Sequence, residues 1–185
     1  MLNLKLLNHI YIKKVVELCL LYLKKSKKLS LPLDIIIKLF DVLVKPVVLY
    51  GAEVWGSENC DILERLQLRF FKYVLSLNKF ACSMMVYGEL GATPLDVDIK
   101  SRLLTYWARL CLGDQHKMSS MVYSLLYKLD EKNIFESEWI RTVKTTLNNC
   151  GFSGFWLNQT LPCSIDVFEN KIKLRLKKSV YPEMA

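Results

Sequence analysis

Asp96 and Asp98 are the nearest approach in this chain to a paired-carboxylate site, the arrangement that acid–base work or a two-metal centre needs. Residues two apart on a helix point about 200° away from each other, so the pair cannot hold one cation or share one proton. Behind Thr93-Pro94 they suit a helix's first turn, where acids complement the dipole. Six cysteines, at 19, 60, 82, 111, 150 and 163, contain no CxxC pair, and His9 and His116 are the only histidines. A tetrahedral metal knuckle needs closely paired Cys or His, so the spacing encodes none. No Cys–His spacing supports a nucleophile and its base. The glycines form neither a GxxxxGK[ST] nor a GxGxxG loop, HExxH does not occur, and Gly151-Phe-Ser-Gly154 reads as a plain loop. Asn158-Gln159-Thr160 matches a glycosylation sequon by chance. The expectation is no catalytic residue, no metal and no cofactor.

Phosphate contact is the chemistry the side chains favour. At about 100° per residue, Arg65, Arg69 and Lys72 fall within an arc of about 60°, with Ser76 in the same arc. Leu63, Leu66, Phe70, Val74 and Leu77 take another side of that helix. Such a stripe can follow a nucleic-acid backbone, each contact releasing counterions. The plain alternative is a solvated face, partly neutralised by Asp61 four residues before Arg65. Lys171, Lys173, Arg175, Lys177 and Lys178 form a second basic set, for which a membrane surface or a partner protein competes with nucleic acid. Trp55, Trp107, Trp139 and Trp156 fit core packing better than base stacking.

The elements that must position these residues are helices with readable ends. Ile12, Val16, Leu20 and Leu23 recur at helical spacing before a cationic run from Lys24 to Lys28. Asp34 is placed to cap a helix burying Ile36, Leu39, Phe40 and Leu43. Pro46 lacks a donor and predicts a kink or break before Val47 to Tyr50. Gly51 and Gly56 bracket a turn anchored by Trp55. Asp61-Ile-Leu-Glu64 reads as a capping box opening a helix to about Leu77. Met84 to Leu90 is a shorter helix stopped by Gly91. Thr93-Pro94-Leu95-Asp96 opens a helix to about Leu112 that buries Ile99, Leu103, Tyr106, Trp107 and Leu110. Ser119 or Ser120 opens another to about Asp130, and Ser137 one to about Asn149, ended at Gly151. From Ser164 to Val180, Lys171 to Lys177 alternate like a strand, but Ile165, Phe168, Ile172 and Leu176 form a helical stripe. Helix is favoured there, because nothing else in the chain offers a strand partner. The fold class read from these signals is all-α, an irregular multi-helix arrangement.

The composition agrees. Of 185 residues, 52% are hydrophobic and 24% charged, which excludes intrinsic disorder. Seven Gly and five Pro are too few to punctuate a β-sandwich. The most apolar window, Ile35 to Trp55, carries Lys38, Asp41, Lys45 and Glu53, which argues against a membrane span. No signal peptide is readable, so an intracellular chain, cytoplasmic or nuclear, with free buried thiols is expected. The net charge of +8 is uneven: residues 1–28 hold seven Lys and one Glu, residues 163–185 hold five bases and three acids, and residues 29–162 balance fourteen of each. Basic ends of this kind suit an anionic partner such as nucleic acid, and equally suit lysines that only solvate the helix faces of an apolar protein.

The segment from Leu31-Pro-Leu-Asp34 to Lys45-Pro-Val-Val-Leu-Tyr-Gly-Ala-Glu-Val-Trp55 resembles the region just after the palm in non-LTR (LINE-type) retrotransposon reverse transcriptases. In that family a proline-bearing helix leads into Tyr-Gly-x-x-x-Trp, matched by Pro46, Tyr50, Gly51 and Trp55. A basic and aromatic helix follows, matched by Leu63 to Leu77. Met85-Val-Tyr-Gly-Glu-Leu-Gly-Ala-Thr-Pro-Leu-Asp-Val-Asp98 and the Trp107 helix are similar to the family's later region. The resemblance spans roughly residues 12–160. It implies a thumb-like helical region over 1–80, a post-polymerase helical linker over 81–160 and a basic C-terminal segment over 161–185. It also implies a partner, the backbone of an RNA/DNA duplex, and a missing palm domain as packing partner, with no membrane involved. Polymerisation by the family needs a paired-Asp motif, and no Asp-Asp dipeptide occurs here. The expectation is therefore a non-enzymatic fragment or remnant of a mobile-element RNA-directed DNA polymerase that grips nucleic acid without sequence preference. The alternative is a structural or protein-interaction remnant with no such binding.

Overall fold

The structure, a computed structural model, describes residues 31–57, 61–114, 116–161 and 163–180, with Lys14, Glu17, Leu18, Leu21 and Lys25 as isolated helical positions. Regular structure among the described residues is helical, with no strand. In chain order the elements are α1 (Leu33–Leu39), a π-helical turn (Phe40–Val44), α2 (Lys45–Val48), α3 (Ala52–Trp55), α4 (Asp61–Val74) and α5 (Ser83–Leu90). They continue as α6 (Leu95–Leu112), α7 (Met118–Glu131), α8 (Glu138–Asn149), α9 (Ser153–Asn158) and α10 (Ile165–Val180). Most of the helix spaced on Ile12, Val16, Leu20 and Leu23 lies outside the described residues. The chain divides into two compact units, Met1–Tyr50 with Cys60–Leu95 and Gly51–Asn59 with Asp96–Ala185.

In the first unit the helical path runs from Leu33 to Val48, so no break occurs at Pro46, and the irregularity is a π turn over Phe40–Val44, one residue short of the proline. Pro46 has no N–H to give to a preceding carbonyl, and a wider turn accommodates that loss. The register shifts with it. Each residue of a π turn rotates less than in an α-helix, so Phe40, Val44 and Val48 share the buried face, whereas Leu43, expected there, is 48% exposed. Asp34 does not cap α1. Pro32 holds the cap position, no side chain caps the helix, and Asp34 lies within its first turn. The core is aromatic: Phe40 meets Phe70 at 4.6 Å between ring centroids and Phe71 at 5.5 Å, and Tyr87 stands edge-on to Phe71 at 5.9 Å.

The second unit closes around Trp107, fully buried on α6. Its indole stacks on Trp156 at 6.1 Å, lies 6.1 Å from Phe168 and donates to Tyr123 Oη at 2.9 Å. Ile140, Val143 and Leu147 enter from α8, and Phe168, Ile172 and Leu176 from α10, so the helical stripe decides the C-terminal segment against a strand. Ser137 caps α8 as expected, its hydroxyl accepting from Ile140 N–H at 3.2 Å. Neither Ser119 nor Ser120 caps α7: Lys117 holds that position and Ser120 is buried within the helix. Ser153 and Gly154, read as loop, begin the short α9. Trp139 Nε1 donates to the Glu53 carbonyl at 2.9 Å, which fixes α3 within this unit.

Candidate nucleic-acid interface

The three basic residues of α4 are presented by a helix whose opposite face is held down by Leu63, Gln67, Phe70 and Phe71, all buried. Arg65 and Arg69 are exposed and Lys72 is half-buried. Arg65 Nε donates to the Asp61 carbonyl at 3.2 Å, which leaves its guanidinium four further N–H donors. Arg69 has no hydrogen-bond or ion-pair partner among the described residues. Lys72 Nζ donates to the Lys79 carbonyl at 2.9 Å and so ties the loop after α4 back onto the helix.

That loop turns the stripe into a groove. Helix α4 stops at Val74, short of the expected Leu77, because Ser76 takes a left-handed conformation (φ 54°) and Leu77 N–H returns to the Lys72 carbonyl at 2.8 Å. Asn78 Oδ1 then accepts from Phe80 N–H at 3.0 Å. The result is an open groove of about 560 Å³ lined by Arg65, Arg69, Lys72 and Lys79 together with Tyr73 and Phe80. No carboxylate stands among the described residues of its lining. The structure thus brings Arg65, Arg69 and Lys72 into one site and adds two residues the sequence does not mark, Lys79 and Phe80. Both lie in a loop without a Gly or Pro signal, and a tertiary bond from Lys72 sets its course.

Just beyond the groove, exposed Cys82 precedes α5. Its thiol is held below the ordinary range by the backbone N–H groups of Met85 and then Met84, with a smaller pull from the Lys72 charge.

The five C-terminal cations lie on α10 in the second unit. They divide there: Lys171, Arg175 and Lys178 fall within about 60° on one flank of the buried Phe168–Ile172–Leu176 stripe, and Lys173 and Lys177 fall on the other. Lys173 is engaged by Glu169 at 2.6 Å. The carboxylate pair on α6 is partly committed too, Asp96 accepting from Lys100 Nζ at 2.7 Å. No group of three His, Cys, Asp or Glu among the described residues is arranged to hold a metal, and no helix among them is long and apolar enough to cross a membrane. Trp107 and Trp156 are core residues, while Trp55 and Trp139 are half-buried.

Compared with protein-family models, curated proteins and solved structures, the chain matches none.

Proposed function

We propose that this chain is a non-enzymatic nucleic-acid-binding module that grips an RNA/DNA duplex by its phosphates, a thumb-like remnant of a mobile-element RNA-directed DNA polymerase. What carries the reading is the groove beside α4, where four cations stand together with no carboxylate in the described lining. Charges gathered this way favour a polyanion and read no bases, since phosphate contacts position a protein without carrying sequence. The resemblance of Pro46, Tyr50, Gly51 and Trp55 to the post-palm pattern supplies the parentage. Lys171, Arg175 and Lys178 are a second surface of the same character, and Lys173 and Lys177 complete the set.

The test is fluorescence anisotropy of the full chain with two RNA–DNA hybrids of unrelated sequence over a range of salt. Arg65→Ala/Arg69→Ala is the informative variant, because it leaves the Lys72 tie to the loop intact. Both hybrids should weaken by the same factor. The slope of log affinity against log salt should flatten by about 0.9 for each phosphate that the variant no longer neutralises. A parallel Lys171→Ala/Arg175→Ala/Lys178→Ala variant separates the α10 contribution. Absence of salt-dependent binding by the wild-type chain at low salt would overturn the proposal in favour of a structural or protein-interaction remnant.

A further inference from the structure

The groove holds something that duplex binding does not use. Phe80 is 82% exposed, yet it is not on a slack loop: its own N–H is bonded to Asn78 Oδ1 and the neighbouring Lys79 carbonyl to Lys72 Nζ, both within 3.0 Å. Lys79 Nζ stands over the ring at 4.8 Å from its centroid, and the residue's exposure leaves the opposite face of the ring open. Tyr73, 43% exposed, offers a second aromatic surface in the same lining. An exposed aromatic fixed among cations has nothing to stack on in an intact duplex, whose bases already stack on one another. An unpaired base presents its π-face, and its flanking phosphates are one nucleotide apart. Alternating cation and aromatic groups are the chemistry of single-strand grooves, where phosphates meet Arg and Lys and bases lie on rings.

We infer that the groove takes a single-stranded stretch of nucleic acid, one base stacking on Phe80 while Arg65, Arg69 and Lys79 hold the phosphates beside it. This inference rests on the nucleic-acid reading above and narrows it: the duplex contacts α4 by phosphates alone, and the unpaired strand adds the ring. Lys72, already committed to the loop, keeps Phe80 in place.

The experiment compares a labelled oligothymidylate strand with the same strand annealed to oligoriboadenylate, each titrated with the full-length wild-type chain, Phe80→Ala and Phe80→Trp. Phe80→Ala should weaken the single strand about fivefold or more and change the hybrid by less than about twofold. Phe80→Trp should restore single-strand affinity, and its added indole fluorescence should be quenched by the strand and not by the hybrid. Equal losses for both nucleic acids, or no loss for either, would overturn the inference and leave a phosphate track. So would hybrid binding by a wild-type chain that ignores the single strand, and in all three cases duplex binding itself stands. Failure of the wild-type chain to bind either nucleic acid removes the inference together with the proposal beneath it. Displacement of the strand by polyglutamate at equal charge, irrespective of Phe80, would also overturn it and assign the groove to an acidic peptide.

Discussion

Gln67 is the polar residue on which the first unit depends, although it stands among hydrophobic neighbours on the buried side of α4. Its Oε1 accepts from Leu95 N–H at 3.1 Å and lies 2.9 Å from Tyr87 Oη, and its Nε2 donates to the Thr93 carbonyl at 3.1 Å. Tyr87 Oη also reaches the Glu64 carboxylate, and its single proton serves one acceptor at a time. One amide therefore satisfies the buried first N–H of α6 and the half-buried carbonyl of Thr93. Replacing it with leucine keeps the volume and strands both backbone groups, a loss of about 1–3 kcal/mol. Urea denaturation of Gln67→Leu should show that fall in midpoint with little change in slope, and amide exchange at Leu95 should accelerate. Unchanged stability would mean that water replaces the amide. The side chains of α4 thus divide cleanly by angle, and helical periodicity alone places Arg65, Arg69 and Lys72 on the open face. It does not mark Gln67, because a buried amide and an exposed one look alike until their partners are known.

At the scale of elements, ends were legible where a residue's own chemistry forces them and illegible where a neighbour does. Ser137 before α8, Thr93-Pro94 before α6 and Gly91 after α5 carry local signals, and each marks a boundary within a residue or so. Asn133 after α7 is a residue that tolerates the left-handed conformation (φ 54°), but Ser76 and Gln159 take it at φ of 54° and 50° without being glycine or asparagine, so the ends of α4 and α9 carry no such mark. The π turn before Pro46 belongs with them: the proline foretells trouble with one hydrogen bond, but the face that the helix then buries is a matter of packing. Two glycines separate local from tertiary causes. At Gly91, φ is 57° and an added Cβ meets nothing, so the cost of a side chain is backbone strain alone. Gly56 has an ordinary backbone, but an added Cβ would lie 2.7 Å from Ile99 Cγ2 and 2.4 Å from the Ala52 carbonyl oxygen. Gly91→Ala should cost about 1–2 kcal/mol, and Gly91→Asn should recover part of it, since asparagine tolerates that conformation. Gly56→Ala should cost about 1–3 kcal/mol through overpacking, and asparagine there should be worse. Thermal melts of the four variants decide it; equal behaviour of the two sites would refute the distinction.

Across the whole molecule, charge and stability are organised by faces and not by stretches of sequence. The excess of +8 falls in the two ends of the chain, while residues 29–162 are balanced, yet the groove of Arg65, Arg69, Lys72 and Lys79 lies inside that balanced stretch. A running sum cannot see this, because it counts every acid in the stretch while no carboxylate stands among the described residues of the groove's lining. The same logic governs the buried titratable groups of the second unit. Tyr123 Oη accepts from Trp107 and donates to Gln159 Oε1 at 2.5 Å, Gln159 Nε2 donates to the Trp156 carbonyl at 2.6 Å, and Cys111 Sγ lies 3.4 Å from Gln159 Oε1. Burial pushes the Cys111 thiol up to about 11 and raises Cys150 as well. Burial, and then the nearby Cys111, raise Tyr123 further still. In each case the folded chain keeps a proton that the unfolded chain releases first. The stabilisation is therefore complete below the unfolded pKa, near pH 9 for the thiols, and drains away as pH rises toward the folded value. Melting temperature followed by tryptophan fluorescence should accordingly decline from about pH 9 upward. Cys111→Ala/Cys150→Ala should begin from a lower stability, because both side chains are packed, but should flatten the decline between about pH 9 and 11. Tyr123→Phe should leave that stretch sloping through the thiols and relieve the loss that continues above it. A melting temperature independent of pH across this range would show that the network around Trp107 opens to water well before the unit unfolds.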